Sequence, residues 1–295
     1  MKLIRTIYTL GLLAGLFASC SKESPLDGEQ YYKQVYIVGA YEVVQQFDVA
    51  YGDGPQNAYV AVATGGSQNI DRNVEVVLTH NDATIEWYNN KYMLDAPLKY
   101  QKLDDQFCSF PSMSTTIKAG DVYSRLPFTV ETSELDCDKL YALTFKIESV
   151  SNFVKQPKDT VLIMNLNMTN DFSGTYQMVA IRYTLTDNDE ELTPSSVNMQ
   201  RTLKAVNKDQ VRFFNVTQNS DLSPTGNITS EDYFNSIDNN GVTFTRQPDG
   251  TFTVAGWKNL SVSNGTVSFE DGTFTFCYDY ESGGKRYRLR GTMTK

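Results

Sequence analysis

Leu143-Thr144-Phe145-Lys146-Ile147-Glu148-Ser149-Val150 alternates apolar and polar side chains almost residue by residue. Successive side chains of a strand point to opposite faces, so this pattern describes a strand with one face on a core and one in solvent. Asn73-Val74-Glu75-Val76-Val77-Leu78-Thr79 repeats it. From Tyr31 onward, short segments rich in Val, Ile, Thr, Tyr and Phe are separated by Gly, Asn, Asp and Pro every ten or so residues. No long amphipathic helix competes with them. The pattern predicts strands at 34–38, 59–63, 73–79, 114–117, 124–130, 141–150 and 161–168, with one helical turn near 82–88. About seven short strands over roughly 130 residues read as an immunoglobulin-like sandwich.

The second half reads as consecutive hairpins, with strands at 176–185, 199–206, 210–216, 242–247, 251–257, 266–270, 273–280 and 285–294. Gln247-Pro248-Asp249-Gly250, Ser263-Asn264-Gly265, Glu270-Asp271-Gly272 and Ser282-Gly283-Gly284 supply turn chemistry between them. A meander of this length removes its own edges by closing into an antiparallel barrel. The fold class expected is all-β, with a sandwich over 31–169 and a barrel over 170–295.

Ahead of these lie Met1-Lys2-Leu3-Ile4-Arg5, an apolar run from Ile7 to Phe17, and Leu16-Phe17-Ala18-Ser19-Cys20. The apolar run is too short for a bilayer-spanning helix, which needs roughly 20 residues, so 1–19 reads as a signal peptide. The cysteine after the small pair resembles the bacterial lipobox, in which the thiol of the new N-terminus carries a diacylglycerol. That resemblance implies lipidation at Cys20, a polar tether over 20–30, membrane attachment through the lipid and an outer-membrane, cell-surface location.

The chain carries 26 basic and 35 acidic side chains, a formal net charge of −9, and losing Lys2 and Arg5 with the leader makes it more acidic. Nucleic acid is therefore not expected as a partner. Apart from Cys20, three cysteines remain, and both a Cys108–Cys137 bridge and unpaired buried thiols fit them.

His80 is the single histidine, which excludes a two-histidine zinc site, and no Gly-x-Ser-x-Gly elbow accompanies it. No phosphate-cradling glycine loop occurs. Asp104 with Asp105, and Asp187 with Asp189, Glu190 and Glu191, are the densest acidic groups, and both sit in polar turn-like stretches. No catalytic residue, metal or cofactor is expected, and the protein reads as non-catalytic. Aromatic residues are the remaining lead, because sugar rings stack their C–H faces on Trp and Tyr. Trp87, Tyr88 and Tyr92 offer one platform and Trp257 another; core packing or barrel closure is the competing reading for each tryptophan.

Trp87-Tyr88-Asn89 with Tyr92, Thr116-Ile117-Lys118-Ala119-Gly120, Leu126-Pro127 and Tyr141-Ala142-Leu143 resemble an N-terminal domain of Bacteroidetes surface lipoproteins. The part from Phe172, with Gly174-Thr175-Tyr176 and Tyr287-Arg288-Leu289-Arg290-Gly291, resembles the lipocalin-like C-terminal domain that often follows it. The resemblance implies a glycan-binding accessory protein of a polysaccharide-uptake system, with a polysaccharide or oligosaccharide ligand and an outer-membrane importer as partner. An adhesion or assembly lipoprotein and a carrier of a small apolar ligand are the alternatives.

Overall fold

In the 143–150 stretch Leu143, Phe145 and Ile147 turn into a core, while Thr144 and Lys146 turn the other way. The computed structural model describes residues 28–295; the leader expected at 1–19 and Cys20 lie outside the described residues. The sandwich strands are β1 (Gln34–Ile37), β2 (Val44–Ala50), β3 (Gln56–Gly65), β4 (Val74–Thr79), β5 (Tyr100–Lys102), β6 (Cys108–Ser109), β7 (Ser114–Ile117), β8 (Tyr123–Val130), β9 (Leu140–Val150), β10 (Val154–Lys155) and β11 (Val161–Thr169). One sheet runs β10-β1-β3-β8-β6 and the facing one β2-β11-β9-β4-β7, with β5 added beside β9. Their inner faces share one core built around Phe128, Phe145, Leu126, Ile147 and Leu166.

The seven expected sandwich strands form as β1, β3, β4, β7, β8, β9 and β11. Four more escape the alternation rule. β5, β6 and β10 are two or three residues long, and β2 is disguised by Gln45, Gln46 and Asp48. The helical turn expected near 82–88 is a complete helix, α1 (Ala83–Tyr92). Its N-terminus is tied to β9: Asn81 N donates to Thr144 Oγ1 at 2.9 Å, and that hydroxyl donates to Asp82 Oδ1 at 2.9 Å.

The second half closes as an eight-stranded antiparallel barrel of β12 (Gly174–Leu185), β13 (Glu191–Asn207), β14 (Gln210–Phe214), β15 (Gly241–Arg246), β16 (Phe252–Gly256), β17 (Val262–Glu270), β18 (Thr273–Ser282) and β19 (Lys285–Thr294). β19 pairs with both β12 and β18, so no strand edge is left between them. Ser263-Asn264-Gly265 is not a turn. β17 runs through it with a bulge, Asn264 taking φ 49° while its amide donates to Asp279 Oδ2 at 2.9 Å. β13 starts eight residues earlier than read, because Pro194 and its serines hide a strand that pairs with β12 from Leu185 on. A second helix, α2 (Ser230–Asn240), was not anticipated, although Thr229, whose hydroxyl accepts from Asp232 N, carries a recognisable cap signal.

Every barrel strand contributes to a filled interior, with Tyr176, Phe213, Phe244, Phe274, Phe276 and Tyr278 all buried. Phe172 closes one end against Phe252 and Phe269, at ring distances of 5.0 and 5.3 Å. This filling removes the room that a carrier of a small apolar ligand needs. The interior also holds charge. Arg201, fully buried, donates to Asn215 O at 3.2 Å and to Gln218 O, and lies 3.5 Å from Asp221 Oδ1. It thereby pins the loop that follows β14 to the barrel.

Candidate functional site

The outer face of the β2–β11–β9 layer is divided in two. Parallel pairing sets Val44 beside Ile163, Gln46 beside Asn165 and Asp48 beside Asn167. α1 covers the apolar first row, laying Ile85 on Ala142 and Ile163 with Val44, Tyr88 and Tyr100 around them. The next two rows are a polar ladder. Asn167 Nδ2 donates to Asp48 Oδ1 at 2.7 Å, and Gln46 Nε2 donates to the same oxygen at 3.2 Å. Asn165 Oδ1 is buried and accepts no hydrogen bond among the described residues. A buried acceptor left in this state costs free energy that a hydrogen-bond donor would recover.

β13 and β14 of the barrel overhang this polar half and enclose a cleft of about 720 Å³. Thr202, Lys204, Arg212 and Tyr233 face the ladder across it, with Asp221 to one side. Asp221 is fixed there by Thr202 N, which donates to Oδ2 at 2.7 Å, and by Arg201 behind it.

The two domains meet at one buried ion pair. Arg212 of β14 donates to both oxygens of Asp138, at 2.8 and 2.5 Å, and Lys204 Nζ reaches Oδ1 at 3.4 Å. Burial alone would raise the Asp138 carboxyl, but these hydrogen bonds and charges hold it below the usual carboxylate value. Around the pair, Ser230 Oγ donates to Pro97 O at 2.5 Å and Asn170 Nδ2 donates to Asn207 O at 2.7 Å.

Cys137 lies beside the pair, and burial, followed by the Asp138 charge, pushes its thiol up to about 11. Cys108, Cys137 and Cys277 are all free, so the Cys108–Cys137 bridge is not formed. Because the thiolate is the reactive form, Cys137 is expected to alkylate much more slowly than Cys277 in the folded protein at pH 8, and as fast once unfolded. Peptide mapping after timed iodoacetamide labelling measures this; equal native rates would show an open seam.

The structure brings three of the four aromatic candidates together on α1. Trp87 and Tyr92 are 45% and 56% exposed, edge to face at 5.8 Å, with Lys91 Nζ within 5.0 Å of both ring centres. Tyr88 links Tyr92 at 4.9 Å to Tyr100 at 5.8 Å, and Leu140, the strand partner of Tyr100, lines the cleft. None of Trp87, Tyr88, Tyr92 and Tyr100 lines the cleft itself. Trp257 is elsewhere in kind: it is half-buried, packs on Gly241, and carries Arg212 over its ring at 4.6 Å. Its place is behind the ion pair.

The acidic groups are largely taken up by basic neighbours. Asp189 pairs with Arg286 at 2.6 Å, and Glu191 with Arg288 and Arg290. Asp105 pairs with Lys102 at 3.0 Å, and Asp104 accepts from Gln106 N. His80 is exposed at the end of β4, its Nδ1 2.6 Å from Thr144 O.

A family's N-terminal domain model matches residues 31–154, and a C-terminal domain model matches residues 160–294. No curated protein matches the sequence. Among solved structures, a Bacteroides ovatus protein of unknown function is similar at TM-score 0.59 and 17% identity, covering 89% of this chain and 94% of that one. A multidomain B. ovatus protein including a domain called DUF1735 is similar at TM-score 0.57 and 15% identity, covering 89% and 94%. An auxiliary nutrient binding protein from Bacteroides thetaiotaomicron is similar at TM-score 0.57 and 17% identity, covering 86% and 91%. These likenesses establish a shared fold across both halves. With the two family domains in tandem over nearly all of the described residues, the chain belongs to the two-domain family that this N-terminal and C-terminal pair defines.

Proposed function

We propose that this is a non-catalytic saccharide-binding lipoprotein of the cell surface, held on the outer membrane by a lipid at Cys20 and serving a polysaccharide importer. The observation that carries the reading is the cleft, where an amide ladder with one unpartnered buried acceptor faces cationic and hydroxyl side chains. Such a wall matches the donor and acceptor density of a sugar's hydroxyls. Trp87 and Tyr92, exposed on α1 outside the cleft, supply further faces for the C–H side of a ring. The nutrient-binding description of a protein of the same fold is in keeping with it.

The test is retention of the full chain in native gels containing neutral polysaccharides. The Asn165→Ala, Asn167→Ala double variant is expected to bind at least about fivefold more weakly, the loss of one or two hydrogen bonds. Absence of binding across a broad panel, or unaltered retention in the variant, would sink the reading.

A further inference from the structure

A second depression lies where β1, β3 and β8 meet β2 and β11, with the core residues Leu162 and Met164 part of its lining. Register pairs Tyr36 with Ala63, Ala63 with Tyr123, Ala61 with Arg125 and Tyr59 with Pro127. Two alanines therefore make a low floor between tyrosine walls, and Phe47 of β2 meets Tyr59 edge to face at 5.4 Å. The hollow measures about 410 Å³. Tyr59 and Tyr123 are 37% and 51% exposed, at solvent-facing strand positions where polar residues are the rule. The Gln45 amide also lines it, standing where only a glycine leaves room: a Cβ on Gly39, at φ +87°, would lie 1.8 Å from Gln45 Oε1.

Arg125 is the one charged residue of the lining, and no carboxylate lines the hollow to neutralise it. Its guanidinium lies 4.4 Å from the Tyr59 ring centre and 5.8 Å from that of Tyr123. Stacking between two rings fixes the plane of the fork and leaves its N–H edges to an incoming group. On a chain with a net charge of −9, an arginine with no carboxylate in the lining favours an anionic ligand over a cation.

We infer that this hollow is a separate site for an acidic saccharide, the sugar ring lying on the tyrosine walls and its carboxylate forked by Arg125. Planar carboxylates match the guanidinium two bonds at a time, the C–H face of a pyranose suits tyrosine, and Gln45 supplies an amide for a hydroxyl. The inference takes from the proposed function only the ligand class, a saccharide, and neither its site nor its charge.

Titration calorimetry of the full chain with oligogalacturonate, and with the same oligomer methyl-esterified, tests it. The acid form is expected to bind at least about tenfold more tightly than the ester, a preference that Arg125→Gln erases and that weakens as salt rises. Tyr59→Ala weakens binding of the acid form, and thermal unfolding of Arg125→Gln matches that of the parent chain. Equal affinity for acid and ester, an unaffected Arg125→Gln variant, or no binding of galacturonate, glucuronate and mannuronate oligomers overturns the inference. Acid binding lost in Asn165→Ala and kept in Arg125→Gln also overturns it while leaving the cleft reading intact. Acid binding through Arg125 without neutral-glycan binding in the cleft does the reverse.

Discussion

Replacing Asp138 with alanine is expected to lower the unfolding free energy by about 3 kcal/mol, at the low end for breaking a buried pair. The reason is what remains. Arg212 has a side chain only 6% exposed, is packed over Trp257, and donates both of its strong hydrogen bonds to Asp138. Without the carboxylate a guanidinium stays buried and uncompensated, with only Lys204, another cation, close to the same site. Urea unfolding measures the loss, and the Asp138→Leu, Arg212→Met double variant is expected to recover most of it, since an apolar replacement of both partners removes the stranded charge. A single-variant cost under about 1 kcal/mol would mean that the seam is held by its other contacts. The pH dependence has a definite sign. The folded Asp138 carboxyl titrates below its ordinary value of 3.8, so its stabilisation is complete above the unfolded value and disappears as pH falls through the folded one. The parent chain is thus expected to lose its advantage over Asp138→Ala below about pH 4.

Phe244→Ala is expected to cost about 3–5 kcal/mol, the range for truncating a buried phenylalanine. Phe244 is a hub of the barrel interior, with ring centres of Phe213, Phe274 and Phe276 at 4.9, 5.0 and 5.8 Å. These neighbours belong to strands tied by hydrogen bonds around a closed ring, which limits how far they can collapse into the space left. Phe244→Leu, which refills part of it, is expected to cost less than half as much. The sandwich has its own core around Phe128 and Phe145. Hydrogen exchange should therefore accelerate in barrel amides such as those of β14 and β15 while β8 and β9 stay protected. Uniform acceleration across both halves would show that the molecule unfolds as one cooperative unit.

Much of the fold was legible because its information is local. Alternation over 143–150 and 73–79 specified which side chains enter the core, and Gly250, Gly272, Gly283 and Gly284 all take positive φ in the hairpin turns read from them. What local rules missed is equally specific. β2 offers Gln45, Gln46 and Asp48 where alternation looks for isolated polar residues, because Gln46 and Asp48 line the polar cleft on its outer face and Gln45 lines the hollow on the other. Asn264 mimicked a turn because a bulge needs the same backbone conformation. The candidate site was largely hidden. Trp87, Tyr88 and Tyr92 share a helix, so their association was readable from spacing. The ladder of Gln46, Asn165, Asp48 and Asn167 depends on parallel pairing of distant strands, and the Asp138–Arg212 pair joins separate domains. Neither leaves a spacing to find.

The parallel pairing of β2 with β11 also fixes a sequence of events. Asp48 and Asn167 are 119 residues apart, so the polar wall cannot assemble from a nascent or partly translocated chain that lacks β11. Loop closure over that span must precede the hydrogen bonds that reward it. The barrel strands that overhang the wall come later still. A chain moving through an export channel N-terminus first would therefore travel without its cleft and gain it only after the last strand has emerged.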